Sequence, residues 1–229
     1  MGLPKLNSTI HETILPSTGQ VVKYRPFLVK EEKILLTAME SEDEKSIVGA
    51  VKQILKNCIQ GNLNIDELPT FDVEFMFLRL RAKSVGEKIT VGLKPFPCAE
   101  RELCKFSTEV EINLEEVQVV KNEKHSSKIM INDDIGIKLK YPDINVLKDR
   151  GAKDQSDMEM GMSVIKNCID MIFTKEETHE RGSFTEEELD EFVDSLNSEQ
   201  FKKVKEFFDT IPKLSHTVEY TCKTCGEEK

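Results

Sequence analysis

Four of the six cysteines stand in two pairs whose spacing can hold a metal. In Tyr220-Thr221-Cys222-Lys223-Thr224-Cys225-Gly226, two residues separate the thiols and a glycine follows the second. A turn of that length aims backbone N–H groups at the sulfurs, and Gly supplies the positive φ that the turn requires. A structural zinc takes four ligands, so this knuckle needs a second pair. Cys98 and Cys104 are the candidates, in Cys98-Ala99-Glu100-Arg101-Glu102-Leu103-Cys104, although their gap of five residues exceeds the usual two to four. Together Cys98, Cys104, Cys222 and Cys225 predict a four-cysteine Zn²⁺ site. With all four positions filled by thiolate, the metal has no open position for Lewis-acid chemistry and serves folding instead. Other readings stay open. Cys222 and Cys225 can form a dithiol redox pair, but no thioredoxin-like βαβ pattern surrounds them. Cys98 and Cys104 can be buried thiols or a disulfide. His216, six residues before Cys222, is an alternative ligand. Cys58 and Cys168 fall on apolar helical faces and are expected in the core, where free Cys packs as a small hydrophobe.

Chemistry beyond the cysteines is sparse. His11, His125, His179 and His216 are scattered, none beside a nucleophile motif. There is no G-x-S-x-G, Walker loop, G-x-G-x-x-G or H-E-x-x-H. Asp133-Asp134 does not extend into a calcium loop. The sequence therefore predicts a non-enzymatic protein with no catalytic and no organic cofactor-binding residues. The 229 residues carry 32 Lys+Arg against 42 Asp+Glu, a net charge of −10, with no Trp. That balance speaks against dedicated nucleic-acid binding, which relies on clustered cations and stacking platforms. No apolar run reaches a membrane span and the N-terminus lacks signal-peptide character, so no membrane association is expected.

The elements that must position the cysteines fall into three stretches. Residues 1–86 predict a hairpin and helices. Thr13–Leu15 and Val21–Tyr24 flank a Pro-Ser-Thr-Gly turn. Helices follow over 27–41, with Phe27, Leu28, Ile34, Leu35 and Met39 as apolar positions, then over 46–59 with Gly61 as cap, then over 71–84 with Thr70 as cap and Gly86 as stop. Residues 87–142 hold five short Val- and Ile-rich runs, read as an antiparallel β region carrying the first cysteine pair. Asn132-Asp133-Asp134 is a tight turn within it. Residues 143–229 return to helix: one segment over 157–174, an acidic loop, and two helices led by Thr185 and Ser198. Pro212 stops the last, and Thr217–Tyr220 is expected to be a strand entering the C-terminal knuckle. The fold class is thus α+β: helical ends flanking a small antiparallel β region, with 87–142 and 214–229 forming one zinc-ribbon-like lobe. Leu55-Lys56-Asn57-Cys58-Ile59 recurs as Ile165-Lys166-Asn167-Cys168-Ile169, an echo that points to two similar helix pairs flanking the β region. Met158, Met160, Met162 and Met171 offer an adaptable apolar face.

Three stretches together resemble a known family: Tyr24-Arg25-Pro26-Phe27-Leu28-Val29-Lys30-Glu31-Glu32-Lys33, then Phe71 to Glu87 with its Arg81-Ala82-Lys83-Ser84-Val85-Gly86-Glu87 segment, then the two cysteine pairs. They resemble the baseplate hub subunit and hub-assembly family of T-even-like contractile-tailed bacteriophages, from about Leu15 to Cys225. The resemblance maps the family's cysteine pairs onto Cys98, Cys104, Cys222 and Cys225. It implies a structural or assembly protein of the virion tail baseplate, present in the host cytoplasm during assembly, that holds other hub proteins in register. Arg79, Arg81, Lys83, Phe207 and Phe208 are the candidate partner-binding residues. Other baseplate and tail hub proteins are the expected partners, and self-association into a homo-oligomer is left open. The competing reading is a zinc-ribbon regulatory or nucleic-acid-associated module.

Overall fold

The computed structural model describes residues 7–93, 108–146, 157–219 and 221. Two hydrophobic cores organise them. The first is built on a hairpin of β1 (His11–Ile14) and β2 (Val21–Tyr24), extended by β3 (Ile59–Gln60). Strand alternation sorts β2: Val22 and Tyr24 turn inward while Val21 and Lys23 face solvent. The turn closes with Leu15 N–H donating to the Gln20 carbonyl, and Gly19 takes φ +74°. Three helices pack on this sheet: α1 (Val29–Glu40), α2 (Glu44–Cys58) and α3 (Thr70–Val85). The Asp43 carboxylate caps α2 by accepting from Ser46 N–H at 2.9 Å. α3 starts after Pro69 with no side-chain cap, so Thr70 is its first residue rather than its cap. Gly86 ends it at φ +140°, a conformation open to Gly alone. Leu15, Val22, Tyr24, Ile54, Leu55, Met76 and Leu80 are central to the core they enclose.

Buried polar groups fix this assembly. Asp72 on α3 is fully buried and accepts from the Ser17 amide at 3.1 Å and from the Ser17 hydroxyl, which ties the β1–β2 turn to the helix. Burial raises its pKa against the pull of those two bonds. Arg79, two turns further along the same face, donates to the carbonyls of Leu114 at 2.7 Å and Val117 at 2.9 Å and lies over the Phe75 ring. With Phe71, Val73, Phe75, Met76, Leu80 and Ala82 also buried, α3 is covered over roughly 200° of its circumference.

The five runs read as four or five antiparallel strands in 87–142 are all strands, and they fall in three sheets among the described residues. Among the described residues, β4 (Lys88–Leu93) and β5 (Thr108–Asn113) pair only with each other. β6 (Gln118–Val120) pairs with β11 (Lys213–Ser215) near the C-terminal end. β7 (Lys128–Met130) and β8 (Gly136–Leu139) join β9 (Ile169–Phe173) and β10 (Thr178–Glu180) in an antiparallel sheet ordered β10-β9-β8-β7. The Asn132 turn is present: its side-chain oxygen accepts from Asp134 N–H at 2.9 Å and Ile135 N–H at 2.7 Å. α4 (Asp157–Cys168), α5 (Glu186–Asp194) and α6 (Ser198–Asp209) cover this sheet and complete the second core around Ile137, Leu139, Ile165, Ile169, Leu189, Val204 and Phe207. Thr185 caps α5 reciprocally with Glu188, and Asn197, one residue before the expected Ser198, caps α6 with Gln200.

Two expectations are corrected here. The segment 157–174 is not one helix; it leaves the helix at Cys168 and continues as β9, because β8 offers an edge that Ile169, Met171, Ile172 and Phe173 pair with. Phe173 lies so close over Gly136 that a Cβ there would meet its ring at 2.3 Å. The C-terminal strand is Lys213–Ser215, and His216–Glu219 carries no regular structure.

The repeated pentapeptide marks a helix-to-strand junction rather than a helix pair. In both copies the helix ends at Cys and the following Ile opens a strand, with Ile59 opposite Tyr24 and Ile169 opposite Leu139. In both, the residue after the partner strand donates its N–H to the Cys carbonyl: Arg25 to Cys58 at 3.0 Å, Lys140 to Cys168 at 2.8 Å. Gly61 is not a helix cap; it turns the chain after β3 at φ +94°. The two thiols are buried, and desolvation pushes Cys58 up to about 11 and Cys168 up to about 12.

Two outcomes follow from these contacts. Asp72→Ala leaves the Ser17 amide without its acceptor and lowers unfolding free energy in urea by about 1–3 kcal/mol, whereas Asp72→Asn keeps an acceptor, removes a buried charge and stays close to wild type. Equal losses in both variants would contradict this account. In native protein treated with a chelator, Cys58 and Cys168 stay unmodified by iodoacetamide at mildly alkaline pH and become labelled only on unfolding, as read by peptide mass mapping.

Candidate functional site

α1 carries three of the exposed large hydrophobic side chains among the described residues, Val29, Leu36 and Met39. At 100° per residue, Leu28, Val29, Leu36 and Met39 fall within about 100° of arc, with Glu32 among them. All four are exposed, Val29 at 66%, Met39 at 56% and Leu36 at 53%. The opposite face of the helix is inside: Ala38 and the fully buried Glu31. The hairpin carries exposed apolar side chains of its own: Ile14 and Val21 are a directly opposed cross-strand pair on its solvent side, both more than half exposed. Seven of the eleven exposed large hydrophobics among the described residues lie between residues 10 and 39, so apolar exposure is concentrated in this unit. On the other side of α1, away from the stripe, the seam between α1 and α2 is a groove of about 560 Å³ with Ala38, Gly49 and Ala50 in its lining. Exposed apolar residues grouped in one unit make that unit the candidate contact surface.

The helix is held in place by a charged anchor. Glu31 accepts from Arg25 at 3.0 Å and from Leu28 N–H at 2.9 Å. Burial pushes its pKa up, but the bonds from Arg25 and from the Leu28 amide outweigh that and hold it below the ordinary glutamate value. Arg25 also donates to the carbonyls of Pro26 at 2.9 Å and Asn57 at 3.0 Å, locking the β2–α1 connection to the end of α2. Phe27 N–H donates at 2.9 Å to the Ser84 hydroxyl, which itself donates to the Leu80 carbonyl at 2.6 Å. The Tyr24-Arg25-Pro26-Phe27 and Arg81-Ala82-Lys83-Ser84 segments thus meet in one corner beneath the start of the stripe.

The candidate partner residues are placed as follows. Arg79 is buried with its guanidinium committed to two carbonyls, and Phe207 is buried in the second core. Phe208 packs edge-on against Phe207 and is partly covered. Arg81 donates to the Gly86 carbonyl at 3.2 Å. Lys83 bridges Glu115 and Glu87, both at 2.6 Å, and those bonds raise its pKa. What the sequence reading missed was the outward direction of Leu28 and Met39, which it grouped with Ile34 and Leu35. The available signal was the excess of apolar residues in 27–41 over what one stripe can bury.

Cys98, Cys104, Cys222 and Cys225 lie outside the described residues, so the zinc-ribbon-like lobe has no structural support here. Cys98 and Cys104 belong to the segment joining β4 to β5, and Cys222 follows Thr221. Among the described residues, no group of three or more His, Cys, Asp or Glu is placed to hold a metal. Also among the described residues, no helix is long and apolar enough to cross a membrane.

Neither a curated protein nor a solved structure matches the chain. Over residues 7–229, nearly its whole length, it matches the family described as T4 bacteriophage base plate protein. The chain belongs to that family, and with it to the structural proteins of the phage tail baseplate that work in contact with other tail proteins.

Proposed function

We propose that this protein is a non-enzymatic scaffold of the baseplate hub that docks another tail protein through the apolar face of α1 and the neighbouring β1–β2 hairpin. The observation that carries this reading is the orientation of α1, which buries a carboxylate and shows solvent three large apolar side chains, with a fourth, Leu28, exposed just before it. A helix is held that way round only by a specific anchor, and the Arg25–Glu31 pair is that anchor. A partner that covers Val29, Leu36 and Met39 gains roughly 1.5–3 kcal/mol for each side chain fully buried. Membership of a baseplate family supports a role exerted through contact rather than turnover.

A second part of the proposal is a structural Zn²⁺ held by Cys98, Cys104, Cys222 and Cys225. Four thiolates in two pairs are a donor set suited to Zn²⁺, and the metal would tie the β4–β5 connection to the C-terminal end.

Leu36→Glu with Met39→Glu should leave the melting temperature within about 3 °C of wild type, because both side chains are exposed. The same variant should fail to enter hub complexes when co-expressed with the other tail proteins. A variant that enters those complexes normally would defeat the docking reading. For the metal, native mass spectrometry should find one zinc per chain, released by a chelator together with a shift to unfolded charge states. A folded, metal-free chain carrying all four cysteines would end the zinc proposal.

A further inference from the structure

The two cores meet across a row of aromatic rings. Phe71 on α3 packs edge-on against Tyr141 at 5.1 Å, Tyr141 stacks on His125 at 5.3 Å, and His125 contacts Phe207 on α6 at 4.9 Å. Tyr141 sits in the segment between Leu139, part of the second core, and Ile144, part of the first. His125 is thus the one titratable ring near neutral pH in the joint.

Its hydrogen bonding fixes its tautomer. The Thr210 hydroxyl lies 2.8 Å from the Glu206 carbonyl and 3.1 Å from that of Phe207, so its hydrogen is directed to the helix backbone. The hydroxyl oxygen then accepts from His125 Nδ1–H at 2.9 Å. That leaves Nε2 with a bare lone pair, and this atom is buried with no hydrogen-bond partner among the described residues. Protonating Nε2 would place an N–H donor and a positive charge where no acceptor stands. Cation–π attraction from the flanking rings is smaller than the penalty for burying an unpaired charge. Charged groups surround the joint at a distance: Glu123 and Lys124 on the same loop, Lys203, Glu206 and Asp209 on α6, Lys140 after β8 and Asp72 on α3. None of them contributes to the shift of His125; burial alone lowers its pKa below 6.5.

We propose that His125 is a pH-sensitive clasp between the two cores, closed while the ring is neutral and opened by its protonation in mildly acidic conditions. The direction follows from linkage. A base whose folded pKa lies below its unfolded value binds fewer protons when folded, so the stability it supports is present above 6.5 and is lost as pH falls through the folded value.

The test compares the full chain with His125→Gln and His125→Phe at about pH 7.5 and about pH 5.5, above the range where most carboxylates titrate. Wild type should lose roughly 2–4 °C of melting temperature between the two, and both variants should lose less. Hydrogen exchange corrected for intrinsic rates should rise at acid pH in Thr70–Val73 and Leu139–Asn145 of wild type and not of the variants. A proton titration of His125 in the unmodified chain, read by NMR of its ring carbon, covers the case in which the variants fold poorly. A midpoint at or above 6.5, or equal pH dependence in wild type and His125→Gln, overturns the proposal.

Discussion

The shortest crossing between the two cores is the stretch after β8, and its geometry conditions the rest. Leu139 ends a strand of the second core and Ile144 is buried in the first, so at most four residues separate the two commitments. Along that stretch Thr70 N–H donates to the Pro142 carbonyl at 3.0 Å, and Asp143 pairs as a β-bridge with Pro69. Asn145 then accepts from the buried Lys52 at 2.8 Å. A chain so short cannot slide, so the start of α3, the end of β8 and the middle of α2 are fixed relative to one another.

α3 transmits this constraint. It holds the hairpin turn through Asp72, holds the Leu114–Val117 turn through Arg79, and receives the β2–α1 connection through Ser84. Three irregular backbone segments are thereby pinned by side chains of one helix. Arg is suited to the middle of these tasks, since a planar fork serves two carbonyls where Lys serves as a point charge. The cost of burying Asp72 and Arg79 is offset only because each is met by hydrogen-bonding partners.

With the inside of the N-terminal unit set by polar anchors, its outside is left free to be apolar. Glu31 occupies the position on α1 that an apolar residue would take in an ordinary amphipathic helix. Phe27 and Leu35 pack on the first core, while Val29, Leu36 and Met39 stay exposed on α1 and Ile14 and Val21 on the hairpin. For a member of a baseplate family, whose work is contact, that arrangement has an evident use.

Local chemistry determined much of this in advance. The hairpin, the cap of α5, the stop at Gly86, the Asn132 turn and the burial of Cys58 and Cys168 all follow from residues within a few positions of each other, and all were legible. So was the family, through segments that prove to form one corner. Strand partnership was not legible. Val119 and Leu214 are far apart in sequence and neighbours in a sheet, and nothing near either names the other. The end of α4 was hidden for the same reason, since the apolar spacing of Ile169 to Phe173 suits a helix until β8 supplies an edge. The direction of α1 was decided by Arg25 reaching Glu31, and the apposition of Tyr141, His125 and Phe207 by the short stretch after β8. Periodicity encodes which residues share a face; only long-range packing decides what that face meets.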